Sequence, residues 1–400
     1  MSKMTQVSEP QLRFPEFGDV WKERKLGEVF EQFSKKSKVQ DEYEVLTSAR
    51  SGLVRQHEYY DNNRITERDN IGFNILPQNY LTYRSRSDDR RFYFNENTLG
   101  ITGIVSVYYP VFRIAEGDNR FFRELFERHK DYLGKFSVGT SQTVLSYNEL
   151  KKVRLHLPSL PEQKKIADFL EAVDGKLVAL REKEAALTRF KRGLMQALFS
   201  QTLRFTRDDG SNYPDWEERR LGTLGRFIGG GTPDTDIKDY WKGDIPWVSS
   251  SDVLEADLTG PTISRWITNE AIEASATKLV PSGSILIVTR VGVGKLTIAN
   301  CDLCTSQDFT NFIPTGVDAR FIGYNLLNEP KKLLRLCQGT SIKGLTTDDL
   351  KDLVLKIPCA DEQHKIVFLL SAVDAKIDAV TEQITQLDAF KKGLLQQMFV

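Results

Sequence analysis

An internal repeat constrains this chain more than any other feature of its sequence. Residues 139–200 align without a gap onto residues 339–400, and about 26 of these 62 positions are identical. Between the repeated ends, residues 40–130 and 230–330 look unrelated. Two like units in one chain can pack as a pseudo-dimer through their shared parts. The pattern therefore predicts a pseudo-two-fold internal repeat whose divergent middles carry out different versions of one task.

The repeated ends are predicted to be two long helices, over 159–200 and 359–400. Apolar residues recur there in steps of three and four, which is the spacing of a coiled-coil seam. Forty residues in a helix span ~60 Å, more than one small domain needs internally. A helix that packs only on its own domain is the alternative to a paired coil. The predicted interface residues are Ile166, Leu170, Val173, Leu177, Leu180, Leu187 and Leu194 in the first helix and Ile366, Leu370, Val373, Ile377, Val380, Leu387 and Leu394 in the second.

Three polar side chains, Glu184, Lys191 and Lys391, interrupt the predicted seam. Polar groups at such positions fit a paired coil that also contacts other proteins. Aspartate at both Leu170 and Leu370 is predicted to disrupt assembly before it affects the folding of the isolated domains. The seam therefore predicts two roles for the helices, pairing with each other and docking a partner.

The divergent middles are predicted to be two mixed α/β domains, over 17–158 and 213–358, preceded by an N-terminal arm (1–16) and joined by a linker (201–212). Each begins with a short matching segment, in which Trp21 corresponds to Trp216. Stretches rich in β-branched and aromatic residues predict strands, and a proline inside a helical pattern predicts a kink. The predicted strands are Gly103–Ile114 and Ser284–Thr289, and the predicted helices are Arg120–Tyr132 and Ala319–Leu336, the latter kinked at Pro330.

Several loops of both domains have the chemistry of a nucleic-acid surface. Arginine can donate two hydrogen bonds to a guanine edge, and Ser, Thr and Gln can reach bases or phosphates. Glycine lets backbone N–H groups approach a phosphate closely. Each residue alone is as readily an ordinary surface residue, so the prediction rests on two clusters in duplicated domains. The candidates are Ser48, Arg50, Arg55, Gln56, Tyr83, Arg84, Arg86, Thr140, Ser141 and Gln142 in the first half and Gly231, Thr232, Trp247, Ser249, Ser250, Arg290, Lys295, Gln307, Thr340, Ser341 and Lys343 in the second.

Composition limits how such a protein could bind DNA and where it works. The chain has 55 basic and 55 acidic residues, so any DNA binding must come from local basic loops, helped by partner subunits. No apolar run is long enough to cross a bilayer, and the first ten residues lack the pattern of a signal peptide. All four cysteines lie in the second half, which favours a reducing cytoplasm over a disulfide framework.

Four motifs could indicate an enzyme or a metal site, and each is incomplete. Phe227 to Gly231 resembles an S-adenosylmethionine loop, but a turn follows where a helix should begin. Gly292 to Lys295 lacks the first glycine and the Ser or Thr of a phosphate loop. Cys301 and Cys304 have no second close pair, which makes zinc a weak alternative. The remaining motif, loosely spaced as in metal-dependent nucleases, consists of Asp215, Asp236 and Lys238.

With these features together, the sequence resembles the specificity subunits of type I restriction–modification systems. The resemblance covers nearly the whole chain. It rests on the half-repeats, on Gly-Thr-Ser at 139–141 and 339–341, and on Glu-Gln-x-Lys-Ile at 162–166 and 362–366. The second half adds Gly-Gly-Thr-Pro at 230–233, Tyr240-Trp241 and Ile245-Pro246-Trp247-Val248-Ser249.

The resemblance implies two target-recognition domains separated by two long antiparallel coiled-coil helices. Each domain would read one half of a bipartite DNA target, while the helices set the spacing and dock two methyltransferase subunits. S-adenosylmethionine, ATP and Mg are then expected on partner subunits, including restriction/translocase subunits, and no catalytic residue, cofactor or metal is expected in this chain. Two alternatives remain open from the residues themselves: a single-chain metal-dependent DNA nuclease and a protein-binding scaffold without DNA contact.

Overall fold

A computed structural model of the chain describes residues 9–59, 69–255, 257–329, 333, 336 and 344–400. It forms two compact units: unit 1 comprises Met1–Arg181 with Glu382–Val400, and unit 2 comprises Glu182–Thr381. Both units mix strands and helices, as predicted. No helix within the described ranges combines the length and the hydrophobicity that crossing a membrane requires.

The strands and helices are short except for two helices. The strands of unit 1 are β1 Lys22–Lys25, β2 Phe30–Gln32, β3 Glu44–Ala49, β4 Gly52–Arg55, β5 Asn74–Leu76, β6 Leu81–Tyr83, β7 Arg86–Ser87, β8 Phe94–Glu96, β9 Gly103–Val105, β10 Val111–Ile114, β11 Thr143–Val144 and β12 Arg154–Leu157. Those of unit 2 are β13 Glu217–Arg220, β14 Gly225–Gly229, β15 Ile245–Val248, β16 Trp266–Ile267, β17 Ile285–Val288, β18 Leu296–Ile298, β19 Cys304–Thr305, β20 Phe309–Pro314 and β21 Val354–Ile357. The α-helices are α1 Leu26–Val29, α2 Gln56–Tyr59, α3 Asn119–Arg128, α4 Lys130–Gly134, α5 Tyr147–Leu150, α6 Leu160–Phe199, α7 Asn269–Glu273, α8 Ala319–Asn328, α9 Thr347–Lys351 and α10 Ala360–Met398.

The two units share most of their sheet topology although their middle sequences look unrelated; unit 1 has β5 as an additional strand in its second sheet and the additional pair β7–β11. Unit 1 has a four-stranded sheet in the order β2-β10-β6-β8, and unit 2 has one in the order β14-β20-β17-β18. In a second sheet, β3 pairs in parallel with β9, as β15 does with β19. The pairs β1–β12 and β13–β21 complete the correspondence. A strand needs residues that suit burial, and many different residues meet that need. The two middles can therefore have corresponding strands although their sequences no longer look alike.

The long helices α6 and α10 each contribute to both units. Within unit 1, Asp174 accepts a hydrogen bond from Lys391 at 2.7 Å and Arg181 donates to Asp388 at 3.0 Å, so the paired segments run antiparallel. Within unit 2, the same alignment brings Lys191 within 2.5 Å of Asp374. Because 174 and 374 are repeat partners, as are 191 and 391, one ion pair occurs twice. The lysines that interrupt the predicted seam therefore form ion pairs between the two helices.

The seam residues near the ends of the helices belong to the cores of the units, whereas Leu177, Leu180, Ile377 and Val380 in the middle lie outside these clusters. In unit 1, Ile166, Leu170 and Val173 share a buried cluster with Trp21 and Phe121. In unit 2, a second buried cluster contains Ile366 and Leu370 together with Leu198 and Phe321. Each helix thus pairs with the other helix and packs on a domain at the same time. Because Leu170 and Leu370 are core residues, we now expect aspartate at these positions to affect the folding of the units as well as assembly.

The repeated Glu-Gln pair fastens the start of each long helix to its unit. Glu362 is 0% exposed and accepts hydrogen bonds from Arg204 at 2.9 Å and Trp216 at 3.0 Å. In unit 1 the equivalent Glu162 accepts from Arg13 at 2.7 Å and from Trp21 at 3.2 Å. A buried carboxylate is tolerated only when it is paired and hydrogen-bonded in this way. The network explains why the matching segments that contain Trp21 and Trp216 recur together with the Glu-Gln motif.

The glutamine of the pair satisfies two backbone groups at once. Gln363 Nε2 donates to the Pro358 carbonyl at 2.8 Å, and its Oε1 accepts from the Asp318 N–H at 3.0 Å. Asp318 in turn caps α8 through the N–H groups of Arg320 and Phe321. Gln163 makes the same two bonds in unit 1. One side chain therefore joins the strand end, the helix cap and the long helix.

Substitution of Gln363 by alanine is expected to destabilise unit 2 by about 1–3 kcal/mol, because it leaves a buried carbonyl and a buried N–H without partners. The measurement is chemical denaturation of the full chain. Gln386→Ala is the matched control, since Gln386 is an exposed residue of the same helix whose side chain, within the part of the chain that the structure describes, bonds only Glu382. Equal denaturation midpoints for the two variants would contradict the assigned role.

Three predicted elements differ from those observed. The predicted strand Gly103–Ile114 is two strands, because the N–H of Tyr109 closes a turn onto the Ser106 carbonyl and Pro110 has no N–H to donate. The predicted helix Arg120–Tyr132 is divided at His129, whose φ of −100° and ψ of 13° are not helical. The third, α8, ends at Asn328, and Pro330 lies outside the described residues.

Candidate nucleic-acid interface

In unit 1, strand pairing brings two predicted segments to one surface. Arg86 in β7 pairs with Val144 in β11, which places the exposed turn 139–142 beside the segment 84–91. Gln142 Nε2 donates to Asp88 across this junction at 3.4 Å. Arg84, Arg86, Thr140, Ser141 and Gln142, which are far apart in the sequence, therefore lie on the same part of the unit.

The β3–β4 turn adds Arg50 to this surface. Asn95 Nδ2 donates to Ser48 Oγ at 2.7 Å and to the Ala49 carbonyl at 2.9 Å, which holds the turn against β8. Arg50 donates to Asp89 at 2.8 Å, and its guanidinium carbon lies 5.4 Å from the centre of the Tyr93 ring. Because Asp89 follows β7, these contacts connect the turn to the β7–β11 surface.

Basic groups predominate on this surface. Arg84, Arg86 and Arg90 are exposed and have no acidic partner within the part of the chain that the structure describes. Arg86 instead lies 4.1 Å from the ring centre of Tyr108, a tyrosine that is 53% exposed. Arginine stacked on an exposed aromatic ring is oriented without being neutralised. The surface therefore offers both positive charge and fixed donor groups.

Three predicted DNA contacts in the two units are structural residues instead. Tyr83 is fully buried and its hydroxyl donates to the Leu145 carbonyl at 2.9 Å, and burial raises the pKa of this phenol. Trp247 is 3% exposed and donates to the Gly231 carbonyl at 3.0 Å. Ser48 is buried and accepts from Asn95. Their chemistry suits a nucleic acid, but their position in the core removes them from the candidate surface.

Arg55 and Gln56 lie at the other end of the β3–β4 hairpin from Arg50, because Arg55 pairs with Leu46 whereas the turn closes at Ala49. Arg55 donates to Glu44 at 3.1 Å, and this hydrogen bond raises the pKa of the guanidinium. Glu58 lies 3.5 Å away on the other side. Its charge is therefore offset locally, and the structure does not bring it to the surface formed around Arg50.

In unit 2, four loops converge to form one rim, which we call the unit 2 rim: residues 230–232, 249–252, 289–290 and 306–308. The connecting bonds run from the Gly231 N–H to the Thr305 carbonyl, from the Ser306 N–H to the Val248 carbonyl, and from the Thr289 N–H to the Asp308 carbonyl. The rim therefore gathers predicted residues from loops that are far apart in the sequence, between residues 230 and 308 of a unit that comprises Glu182–Thr381. Its predicted members are Gly231, Thr232, Ser249, Ser250, Arg290 and Gln307.

The glycines of the rim are explained by close packing. A Cβ at Gly230 would lie 2.0 Å from the Ser306 carbonyl oxygen, and one at Gly231 would lie 2.3 Å from the Thr277 nitrogen. Only glycine fits at these two positions. The next residue, Thr232, donates its hydroxyl to Gln307. The Gly-Gly-Thr motif therefore joins two loops of the rim, which is a different reason from the predicted approach of phosphate.

Arg265 is a rim residue that was not predicted from the sequence. Its guanidinium lies 4.6 Å from the ring centre of Trp247 and donates to Ser249 Oγ at 2.7 Å and to Asp252. Arg265 and Ser249 are 16 positions apart in the sequence, and no pattern links them. Only the pairing of β15 with β16 brings the two together.

The other basic candidates of unit 2 differ in their environment. Arg290 is an exposed member of the unit 2 rim. Lys295 is half-buried and donates to the Val253 carbonyl at 3.3 Å, so its ammonium group is partly engaged by the protein. Thr340, Ser341 and Lys343 lie outside the described residues.

The residues of the enzyme-like motifs either belong to strands and turns or are exposed to solvent. Phe227–Gly229 is part of strand β14, and Gly292 and Gly294 form the turn between β17 and β18. Burial raises the pKa of the Cys304 thiol to about 11. Asp215 is fully exposed and ion-paired with Arg204 at 3.6 Å. Among the residues that the structure describes, no three His, Cys, Asp or Glu side chains are grouped so as to hold a metal ion.

Comparisons with known proteins identify the same arrangement elsewhere. A family model described as "Type I restriction modification DNA specificity domain" matches residues 19–189 and 213–389. The chain is 31% identical over 199 residues to the type I restriction enzyme MjaIX specificity subunit of Methanocaldococcus jannaschii, a match that covers 48% of this chain and 46% of that protein. It is 26% identical over 251 residues to the EcoR124I/EcoR124II specificity subunit of Escherichia coli, covering 60% of each. The chain therefore matches about half to three-fifths of the length of these relatives.

Two solved structures share the fold. One is the S subunit of a type I restriction-modification system from M. genitalium, with a TM-score of 0.62, 15% identity, and coverage of 98% of this chain and 99% of that one. The other comes from a study of complex assembly and conformational transition of the type I R-M system, with a TM-score of 0.55, 18% identity, and coverage of 95% and 97%. At these identities the likeness shows the fold, and it extends over nearly the whole chain.

Proposed function

Because this chain belongs to the family of type I restriction modification DNA specificity domains, we propose that it is the non-catalytic DNA-recognition subunit of a type I restriction–modification complex. Each unit would read one half of a bipartite target. The observation that carries the proposal is that two units with the same four-stranded sheet and the same parallel strand pair present different polar surfaces at corresponding strand ends. Like frameworks with unlike surfaces suit a protein that reads two different half-sites.

The neutral overall charge fits this proposal once the charges are located. Exposed arginines concentrate on the surface of unit 1 around Arg50, Arg84 and Arg86. Phosphate contacts supply much of the affinity of DNA-binding proteins, and their number sets the dependence on salt. A chain with no net positive charge has few such contacts to offer. We therefore expect tight binding to require partner subunits, which would add basic surface of their own.

Methyl transfer and restriction would be supplied by those partners. Two methyltransferase subunits would bring S-adenosylmethionine, and restriction/translocase subunits would use ATP and Mg. The exposed faces of the paired helices are the proposed docking surface, and on them the repeat places Phe190, which is 58% exposed, and Phe390, which is 52% exposed. Aromatic side chains are enriched at the centres of protein interfaces.

Replacement of both Phe190 and Phe390 by serine is expected to weaken methyltransferase binding by roughly 100-fold or more, as for loss of two interface hot spots. Because both rings are exposed, the free energy of unfolding should change by less than about 0.5 kcal/mol. Co-purification and titration calorimetry with the methyltransferase subunit measure the effect. Thr188→Ser with Asp388→Glu, at exposed or half-exposed sites nearby, is the control. Wild-type affinity of the double serine variant would place the docking surface elsewhere.

Methylome sequencing of a host that expresses the chain with its methyltransferase subunits tests the function. The proposal requires one split methylated motif with a fixed gap. Magnesium-dependent cutting of DNA by the purified chain, lost on Asp236→Ala, would support the nuclease alternative instead. A complex that shows no salt-dependent DNA binding would support the scaffold alternative.

A further inference from the structure

Each unit carries one arginine held in the same unusual way at the corresponding strand end. In unit 1, Arg50 follows β3, contacts the ring of Tyr93 and donates to Asp89. In unit 2, Arg265 lies against the loop that follows β15. Its guanidinium contacts the ring of Trp247 and donates to Asp252. The strands β3 and β15 correspond, since each pairs in parallel with the later strand of its sheet. The sequences of the two loops share nothing that would account for this recurrence.

These contacts orient the arginines more than they stabilise the fold. The side chains of Arg50 and Arg265 are 68% and 39% exposed, and ion pairs this open to solvent contribute little to stability. An aromatic ring below the guanidinium and a carboxylate beside it fix the plane of the group. A guanidinium has five N–H donors in a rigid fork. With the described residues, Arg50 and Arg265 each form side-chain hydrogen bonds through one nitrogen only, Nη2, so most of their N–H donors are available to a ligand.

The carboxylate also selects the kind of ligand. A phosphate brought to Arg50 or Arg265 would meet the negative charge of Asp89 or Asp252 within a few ångströms, and this repulsion opposes binding. A neutral base edge meets no such penalty. Among base edges in the major groove, guanine presents two acceptors, O6 and N7, that match two N–H groups of one guanidinium.

From this geometry we infer that Arg50 and Arg265 are the base-reading arginines of the two units, each recognising a guanine in one half of the target. The inference rests on the proposed function and adds the residues and the base. Asp89 and Asp252 are positioning residues that hold each fork and exclude the backbone phosphate. Both half-sites of the methylated motif should then contain at least one G·C pair.

Arg50→Lys and Arg265→Lys test this inference, because lysine keeps the charge but loses the fork. With the full chain co-expressed with its methyltransferase subunits, methylome sequencing should show that Arg265→Lys relaxes one G·C position in one half-site. The preference for guanine there should fall roughly 10- to 100-fold. Arg50→Lys should relax one position in the other half-site. The matched controls are Arg220→Lys and Arg154→Lys, exposed ion-paired arginines on the outlying strands β13 and β12, which should leave the motif unchanged.

Asp252→Asn separates a reading role from a merely structural one. Removal of the carboxylate should raise the affinity of the assembled complex for DNA that lacks the target, since Arg265 could then bind phosphate. Three results would overturn the inference alone: an unchanged motif in both lysine variants, a uniform loss of methylation across all sequences, or unaltered affinity of Asp252→Asn for non-target DNA. A wild-type complex that methylates no split motif would overturn the proposed function, and this inference with it.

Discussion

Leu370→Asp is expected to unfold unit 2 rather than to detach a coil. Leu370 is 0% exposed and shares a core with Leu198 and Phe321. Loss of a buried leucine side chain costs about 2–5 kcal/mol, and burial of an unpaired carboxylate adds several more. The sum is comparable to the whole stability of an ordinary domain, about 5–15 kcal/mol. Chemical denaturation followed by tryptophan fluorescence measures the loss, because Trp216 packs on Phe321 in the same core.

Ala372→Asp is the control for this experiment. It introduces the same charge two residues further along the same helix, at an exposed position. We expect its denaturation midpoint to stay within the range of ordinary surface substitutions, a change below about 0.5 kcal/mol. If Leu370→Asp denatured at the same midpoint as this control but failed to bind the methyltransferase, the seam would be separable from the core after all.

Exchange of residues 17–158 for the equivalent segment of another family member is expected to replace one half of the methylated motif completely and leave the other half intact. The reason is that the candidate contacts of unit 1 all lie within this segment. Methylome sequencing again provides the measurement. A change in both halves would contradict the modular assignment, and no change in either would place recognition outside the segment.

The structure adds a condition to this exchange. Phe399 belongs to the core of unit 1, where its ring centre lies 5.3 Å from that of Phe121 and 6.4 Å from that of Trp21. A donor segment that lacks aromatic residues at these two positions would leave a cavity, at a cost of about 3–5 kcal/mol. The exchange should therefore be made twice, with and without the donor's own residues 394–400. We expect only well-matched cores to give soluble protein.

Much of the architecture could be predicted because its signals are local or periodic. The heptad spacing predicted both long helices, which the structure has at Leu160–Phe199 and Ala360–Met398. The strand predicted at 284–289 from its β-branched residues is observed at Ile285–Val288. The errors fell where a tertiary contact decides a boundary, as at Tyr109 and His129. The local free-energy cost of a turn or a helix break is small, so tertiary packing decides where it occurs.

The candidate surface was predicted only in part, for a different reason. Residue type pointed to arginines, serines and glycines in loops as DNA contacts. Residue type does not show whether a side chain is exposed in the folded protein. Tyr83 and Trp247 suit a DNA contact and are core residues. Arg265 lies in a segment without any motif and is the most constrained donor of the unit 2 rim.

By itself the sequence determined that the chain is doubled, that its repeated ends are helices, and that its middles differ. These properties depend on the periodicity and the identity of residues, both of which can be compared along the sequence itself. The tertiary structure alone decided that the middles share one topology, that the lysines of the seam pair with Asp174 and Asp374, and that two arginines are tethered at corresponding strand ends. Each of these features depends on which residues, far apart in the sequence, come within a few ångströms of each other in the fold. No pattern along the chain predicts such contacts.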